Sequence, residues 1–167
     1  MSEVSIRQAT VEDARTVATL FSEFNALLGV DGLPEEESYA PELLQVTESQ
    51  MARRLHGMTG IERVFLAETA DGDVAGLCCL RMVPYIGQDV PYAEVTQLYV
   101  RPRFQREGVG AILLRGVEAR AEAAGATCVH IITGRNNHNA QAFYASQGYV
   151  SDDIVFDKYF TREEAHA

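Results

Sequence analysis

The sequence predicts an α/β domain organised around a mixed β-sheet, and three observations predict it. Two apolar, β-branched segments, Ile61 to Thr69 and Val74 to Val83, flank Asp71-Gly72, a dipeptide that accepts the left-handed backbone of a tight hairpin turn. Further on, a strand from Tyr92 to Val100, a helix from Gly108 to Ala124 and a strand from Thr127 to Thr133 make a β-α-β unit, whose two strands run parallel. Finally, 167 residues with 47% hydrophobic content suffice for one continuous core, and no repeat, low-complexity tract or Ser/Gly linker interrupts them. Residues 1–167 therefore read as a single domain.

Each element has a local cause. Val4 to Gln8 reads as a short first strand. Thr10, with Asp13 three positions later, is a variant capping box opening a helix in which Val17, Leu20, Phe21, Phe24, Leu27 and Leu28 recur at helical spacing until Gly29 stops it. Val30 to Pro41 mixes Gly, Pro and acids in a helix-hostile way, and Leu43 to Met58 is expected to form a second helix. Pro84, Gly87 and Pro91 mark the loop before the third sheet strand. Within Gly108 to Ala124, the residues Ile112, Leu113, Val117 and Ala121 share one face. Asn137 to Gln147 reads as a short helix, and Tyr149 to Phe160 alternates like a strand.

Composition removes several classes of function. The net charge of -10 argues against a nucleic-acid surface, which needs clustered Lys and Arg. No apolar run approaches the roughly 20 residues that cross a bilayer, so no membrane association is expected. The N-terminus shows neither a secretory nor a transit pattern, which reads as cytoplasmic. Cys78, Cys79 and Cys128 show no paired metal-ligand spacing and read as reduced core residues; the four histidines are scattered, so no metal site is expected. One segment stands out against the acidic background. Arg101, Arg103 and Arg106 fall within six positions, which makes it the candidate anion site.

The same segment carries the most informative motif, Leu98-Tyr-Val-Arg-Pro-Arg-Phe-Gln-Arg-Glu-Gly-Val-Gly-Ala-Ile-Leu-Leu114. A strand ends at Val100, Pro102 stops it, and a glycine-containing turn leads into a helix. Gly108 and Gly110 allow a ligand close to the backbone, and the unpaired amides of a first helical turn attract anions such as a diphosphate. Two other nucleotide readings fail on spacing. A dinucleotide fingerprint needs Gly or Ala where Leu113 stands, and a P-loop needs Gly-Lys-Ser/Thr.

Gln105-x-x-Gly108-x-Gly110, following a strand that ends Leu98-Tyr99-Val100, resembles the coenzyme A signature of the GCN5-related N-acetyltransferase (GNAT) family. Asn137-x-x-Ala140-x-x-x-Tyr144-x-x-x-Gly148-Tyr149 is similar to that family's later block. The resemblance extends in element order from the first strand to Phe160, with the diagnostic residues within 94–149. It implies a GNAT-like mixed sheet flanked by helices, in which the strands of residues 92–100 and 127–133 splay apart. It also implies acetyl-CoA as cosubstrate, an amine as acceptor, and no metal. The pantetheine arm would lie in the gap as a missing strand, pairing with main-chain groups of Leu98 and Val100, and Leu98 N–H would polarise the thioester oxygen.

The implied coenzyme site comprises Leu98, Tyr99, Val100, Gln105, Arg106, Glu107, Gly108, Val109, Gly110, Ala111, Asn137 and Tyr144, with backbone amides from Gln105 to Ala111 around the diphosphate. Asn137 would cap its helix as well, Asn136 and Asn139 being alternative caps. Arg106 and Glu107 depart from the commonest pattern, where Gly and a basic or polar residue are frequent.

Tyr144 is the implied general acid: a phenol, with pKa about 10, stays protonated at neutral pH and can protonate a thiolate whose conjugate pKa is about 8.5. Glu94 is the candidate base for the attacking amine. Strand alternation places Glu94, Thr96 and Leu98 on one face unless a bulge shifts them. Neither motif contains a cysteine, so direct attack in a ternary complex is expected; a non-catalytic acyl-CoA sensor and a protein N-acetyltransferase are the alternatives. Asp31, Glu35, Glu36, Glu37, Glu42 and Glu48 form a base-free acidic stretch that would favour a cationic acceptor. Exposed sheet edges leave room for a homodimer.

Overall fold

The computed structural model describes residues 3–28, 46–57, 61–87, 89–152 and 154–155. The chain forms two compact units, Met1–Ile132 and Thr133–Ala167. The first holds a five-stranded sheet whose spatial order follows the chain: β1 (Val4–Gln8), β2 (Glu62–Thr69), β3 (Val74–Val83), β4 (Tyr92–Val100) and β5 (Val129–Ile131). The first four strands pair antiparallel, whereas β4 and β5 run parallel. Helices α1 (Ala14–Leu28), α2 (Glu48–Gly57) and α3 (Val109–Ala123) belong to this unit, and α4 (His138–Ser146) to the second. The expected mixed α/β class is the one observed.

The two sheet faces are covered by different helices. Val17 and Leu20 of α1 and Met51 and Leu55 of α2 pack with Leu66, Leu77, Cys79 and Tyr99 on one face. α3 covers the other: a methyl group at Gly116 would lie 3.3 Å from Ile6, and the Arg120 guanidinium sits 4.9 Å from the Phe65 ring centre. β3 lies between both layers, so Ala75 to Leu80 are buried without alternation. Gly76 is required there, because a Cβ would stand 2.3 Å from the Tyr99 carbonyl oxygen.

The hairpin turn falls at Asp71-Gly72, with Gly72 at φ 82° and its N–H donating to Thr69 O at 2.9 Å. At the first helix, Asp13 accepts from Thr10 N–H at 2.8 Å and from Arg7 at 2.8 Å, and Val11–Asp13 forms a single 3-10 turn before α1. The Arg7 guanidinium draws the Asp13 carboxyl down to about 2.

Four expectations need correction. α2 begins at Glu48 rather than Leu43, because Thr47 and Gln50 form a capping box: Thr47 Oγ1 accepts from Gln50 N–H at 3.3 Å, and Gln50 Oε1 accepts from Thr47 N–H at 2.9 Å. β5 covers Val129–Ile131, shorter than residues 127–133, since only those residues find partners on β4. Cys78 and Cys79 are buried as expected, but Cys128 is exposed, lying just before the short edge strand. Residues 149–152 and 154–155 form no strand, since alternation without a ladder partner makes none. The stop at Gly29, residues 30–41, residues 43–45, Met58 and residues 156–160 lie outside the described residues.

Candidate active site

The turn after β4 is built by backbone conformation. Pro102–Phe104 forms a 3-10 turn, Arg106 has φ 65°, and Gly108 caps α3 at φ 84°. Arg106 is the one non-glycine residue in the left-handed region among those described, a conformation that glycine would adopt without a Cβ clash. Among the described residues no side chain caps α3, so the amides of its first turn, Val109 to Ala111, have neither an intrahelical nor a side-chain partner there. A Cβ at Gly108 would meet nothing within 4 Å, so the space over the turn is open. An uncapped helix start beneath open space fits a diphosphate.

Side chains here mostly secure the turn. Gln105 Nε2 donates to Val100 O at 2.9 Å and Gln105 N–H to Pro102 O at 3.2 Å, tying the turn back to the strand end. Of the three arginines, Arg101 grips Glu23 through Nε at 2.9 Å and Nη2 at 3.0 Å, and Arg103 pairs with Asp73 at 3.1 Å. Arg106 and Glu107 are exposed, and Val109 is buried against the core. Tyr99 is buried too, its hydroxyl donating to Glu23 at 3.2 Å and its ring 6.1 Å from Phe24, so its side chain serves the core. Burial and the Glu23 charge push its phenol pKa up.

β4 changes character in its middle. Cys79 faces Gln97 while Leu80 faces Val95, so Thr96 is an extra, bulged residue. The parallel partner leaves at the same point: β5 pairs with Ala93 to Val95 and no further, and the β5 side of residues 96–100 has no strand beside it among the described residues. Strand groups so exposed need a hydrogen-bonding partner, which an amide-rich pantetheine arm can supply. The bulge also corrects the expected shared face. Glu94 stands opposite Arg81, on the α1/α2 face with Cys79, whereas Leu98 stands opposite Cys78, on the α3 face.

Before the bulge, a polar row crosses the sheet. Glu62 faces Arg81, Arg81 faces Glu94, and Glu94 faces His130. Arg81 Nε donates to Glu94 Oε2 at 2.7 Å and Nη2 donates to the same oxygen; Tyr92 OH donates to Glu94 Oε1 at 3.3 Å. Thr96 OH donates to Glu62, so the bulged residue is anchored two strands away. The Tyr92 and His130 rings lie 5.0 Å apart, and Cys128 Sγ is 3.3 Å from His130 Nε2. The bond to Glu94 pushes the Arg81 pKa up, and desolvation and the Glu94 charge push the Tyr92 phenol up. Among the described residues no group of three or more His, Cys, Asp or Glu side chains is arranged to hold a metal.

In the second unit, Asn137 caps α4, its Oδ1 accepting from Ala140 N–H at 3.1 Å, which settles the choice among the three asparagines. Gln147, Gly148 at φ 92° and Tyr149 close the helix: Tyr149 N–H donates to Tyr144 O at 3.1 Å and Gly148 N–H to Ala145 O at 3.1 Å. Tyr144 is half-buried, its ring 5.4 Å from Phe143 and 6.0 Å from Tyr149.

Sequence reasoning missed Glu62, Arg81, Tyr92 and His130. A signal for the first pair existed: equal steps outward from Asp71-Gly72 reach Glu62 and Arg81.

The fold is that of solved N-acetyltransferases. An aminoglycoside acetyltransferase from an uncultured soil metagenomic sample, in complex with sisomicin, superposes with a TM-score of 0.75 at 18% identity over 96% of this chain and 97% of that one. The ribosomal-protein-alanine N-acetyltransferase of Brucella melitensis biovar Abortus 2308 gives 0.75 at 16% identity over 95% and 99%. The chain belongs to the acetyltransferase (GNAT) family, whose model matches residues 31–149, and is thus an acyltransferase enzyme. The D-amino-acid N-acetyltransferase HPA3 of Saccharomyces cerevisiae is 26% identical over 68% of this chain and 71% of that protein. The aminoalkylphosphonate N-acetyltransferase of Salmonella typhimurium is 28% identical over 53% of this chain and 57% of its own length.

Proposed function

We propose that the chain transfers the acetyl group of acetyl-CoA to a primary amine of a small molecule, by direct attack in a ternary complex. The observation that carries this reading is the end of β4, where a strand edge unpaired among the described residues runs into a helix start that none of them caps. Acetyl-CoA supplies an activated acetyl thioester when bound. The amides of Val109, Gly110 and Ala111 hold the diphosphate, and Arg106 adds a cation. The main chain of Leu98, Tyr99 and Val100 holds the pantetheine arm, and Leu98 N–H faces the carbonyl oxygen, where negative charge develops during attack. Glu94 accepts the proton of the amine, and Tyr144 donates its phenolic proton to the departing sulfur. Asn137 contributes its remaining amide group to the arm.

The acceptor is proposed to be cationic, on the strength of the acidic stretch from Asp31 to Glu42, which lies outside the described residues, and of Glu62 and Glu94 on the sheet. Thiol release should be followed with acetyl-CoA and polyamines, aminoglycosides, D-amino acids and aminoalkylphosphonates as acceptors. Turnover with at least one primary amine is expected, with polyamines and aminoglycosides ahead. Binding of acetyl-CoA without turnover of any amine sinks the reading. Tyr144→Phe should slow the chemical step by roughly 10²-fold and leave coenzyme affinity unchanged; an unaltered single-turnover rate removes Tyr144 from the mechanism.

A further inference from the structure

We infer that Arg81 and Tyr92 are positioning residues for this reaction, clamping the Glu94 carboxylate so that Oε1 alone receives the proton of the acceptor. The inference rests on the role of Glu94 proposed above. Oε2 takes two hydrogen bonds from one guanidinium, Nε at 2.7 Å and Nη2 beside it, which fill its lone-pair directions. Among the described residues, Oε1 accepts only the Tyr92 hydroxyl, at 3.3 Å, and keeps one direction open. The transferred proton therefore moves from the ammonium nitrogen to Oε1, and the electrons of the broken N–H bond stay on nitrogen as the attacking pair.

An isolated ion pair at the surface would be a weak clamp. This one is held from several sides. The Glu94 side chain is 21% exposed and that of Arg81 45%. Arg81 also faces Glu62, which is engaged by Thr96 at the bulge, and Tyr92 is backed by the His130 ring, itself in contact with Cys128. Glu94 thus has one carboxylate orientation, and that orientation is set on the strand that carries Leu98.

The test is a double-mutant cycle on turnover of an amine acceptor by the full chain, with melting temperatures measured in parallel. Arg81→Met should lower kcat by roughly ten- to a hundredfold, the scale of a misplaced catalytic group, while the KM for acetyl-CoA stays at the wild-type value. Arg81→Lys should recover part of the loss, because an ammonium supplies charge without the two-point grip. Arg81→Met combined with Glu94→Gln should be no slower than Glu94→Gln alone, since a residue acting only through Glu94 has nothing further to lose. Tyr92→Phe should lower kcat severalfold, and together with Arg81→Lys it carries the test if Arg81→Met does not fold.

Additive losses, or wild-type kcat in Arg81→Met, overturn the clamp while leaving Glu94 as the base. An unaffected Glu94→Gln variant overturns both. A fall in kcat that tracks the fall in melting temperature from variant to variant, with no recovery in Arg81→Lys, would reduce Arg81 to a structural strut and also overturn the inference.

Discussion

The two halves of β4 use opposite materials. Past Thr96 the strand leads into a turn whose working parts are main-chain amides and left-handed residues, with two of its three arginines committed to Glu23 and Asp73. Ahead of Thr96 the strand contributes side chains, Tyr92 and Glu94, to an ion-paired row that spans four strands. The first kind of site demands particular backbone angles at consecutive positions. The second demands partners that the chain brings together from far apart.

The sharpest way to break this contrast is Gly108→Val. At φ 84° a side chain costs about 1–2 kcal/mol, more when β-branched, and the amides of the α3 start shift with the turn. Losing a pair of charge-assisted hydrogen bonds, about 1.5–3 kcal/mol each, implies on the order of 10²-fold weaker coenzyme binding or worse. Calorimetric titration of the folded variant checks it, and wild-type affinity would mean that the turn does not hold the diphosphate. Arg106→Gly should do less. Relief of left-handed strain opposes the added freedom of the unfolded chain, so stability should stay within about 1 kcal/mol, and the coenzyme KM should rise by no more than roughly tenfold. A larger rise would make this a side-chain site after all. The smallest effect lies outside both halves. The Asp13 carboxyl, held at about 2 by Arg7 against an ordinary value of about 3.9, contributes stability that is present above about pH 4 and lost as pH falls through about 2. With the exposure of Arg7 discounted, that is about 1 kcal/mol. Asp13→Asn should therefore lower the melting temperature at pH 7 and flatten its fall between pH 4 and 2; an unchanged acid profile would show that the pair is idle.

This contrast also explains what the sequence made legible. Gly108, Gly110 and Pro102 sit together and force a recognisable turn, so the passage from β4 into α3 could be read directly. Asn137 and Gly148 bound α4 by equally local chemistry. Tyr92 and His130 gave no such sign, and Arg81 only the count from the hairpin turn, because their meaning depends on cross-strand register and on a bulge that no single residue type announces. Cys128 was misjudged for the same reason, its exposure being set by where β5 ends and not by its apolar neighbours. The arginine cluster was legible as a segment but not in its partners, since the fold sends Arg101 and Arg103 to separate carboxylates.

Thr96 makes β4 a strand with a change of parity. Ala93 and Val95 look toward α3, whereas Gln97 and Tyr99, also odd-numbered, look toward α1. Deleting Thr96 would remove the bulge and join Val95 directly to Gln97, so ordinary alternation would itself keep Val95 toward α3 and Gln97 and Tyr99 toward α1; a deletion at a regular position of the strand would instead exchange the faces of everything beyond it. Along its regular stretches single insertions and deletions act as inversions, whereas at the bulge the loss of one residue leaves each side chain facing the same layer.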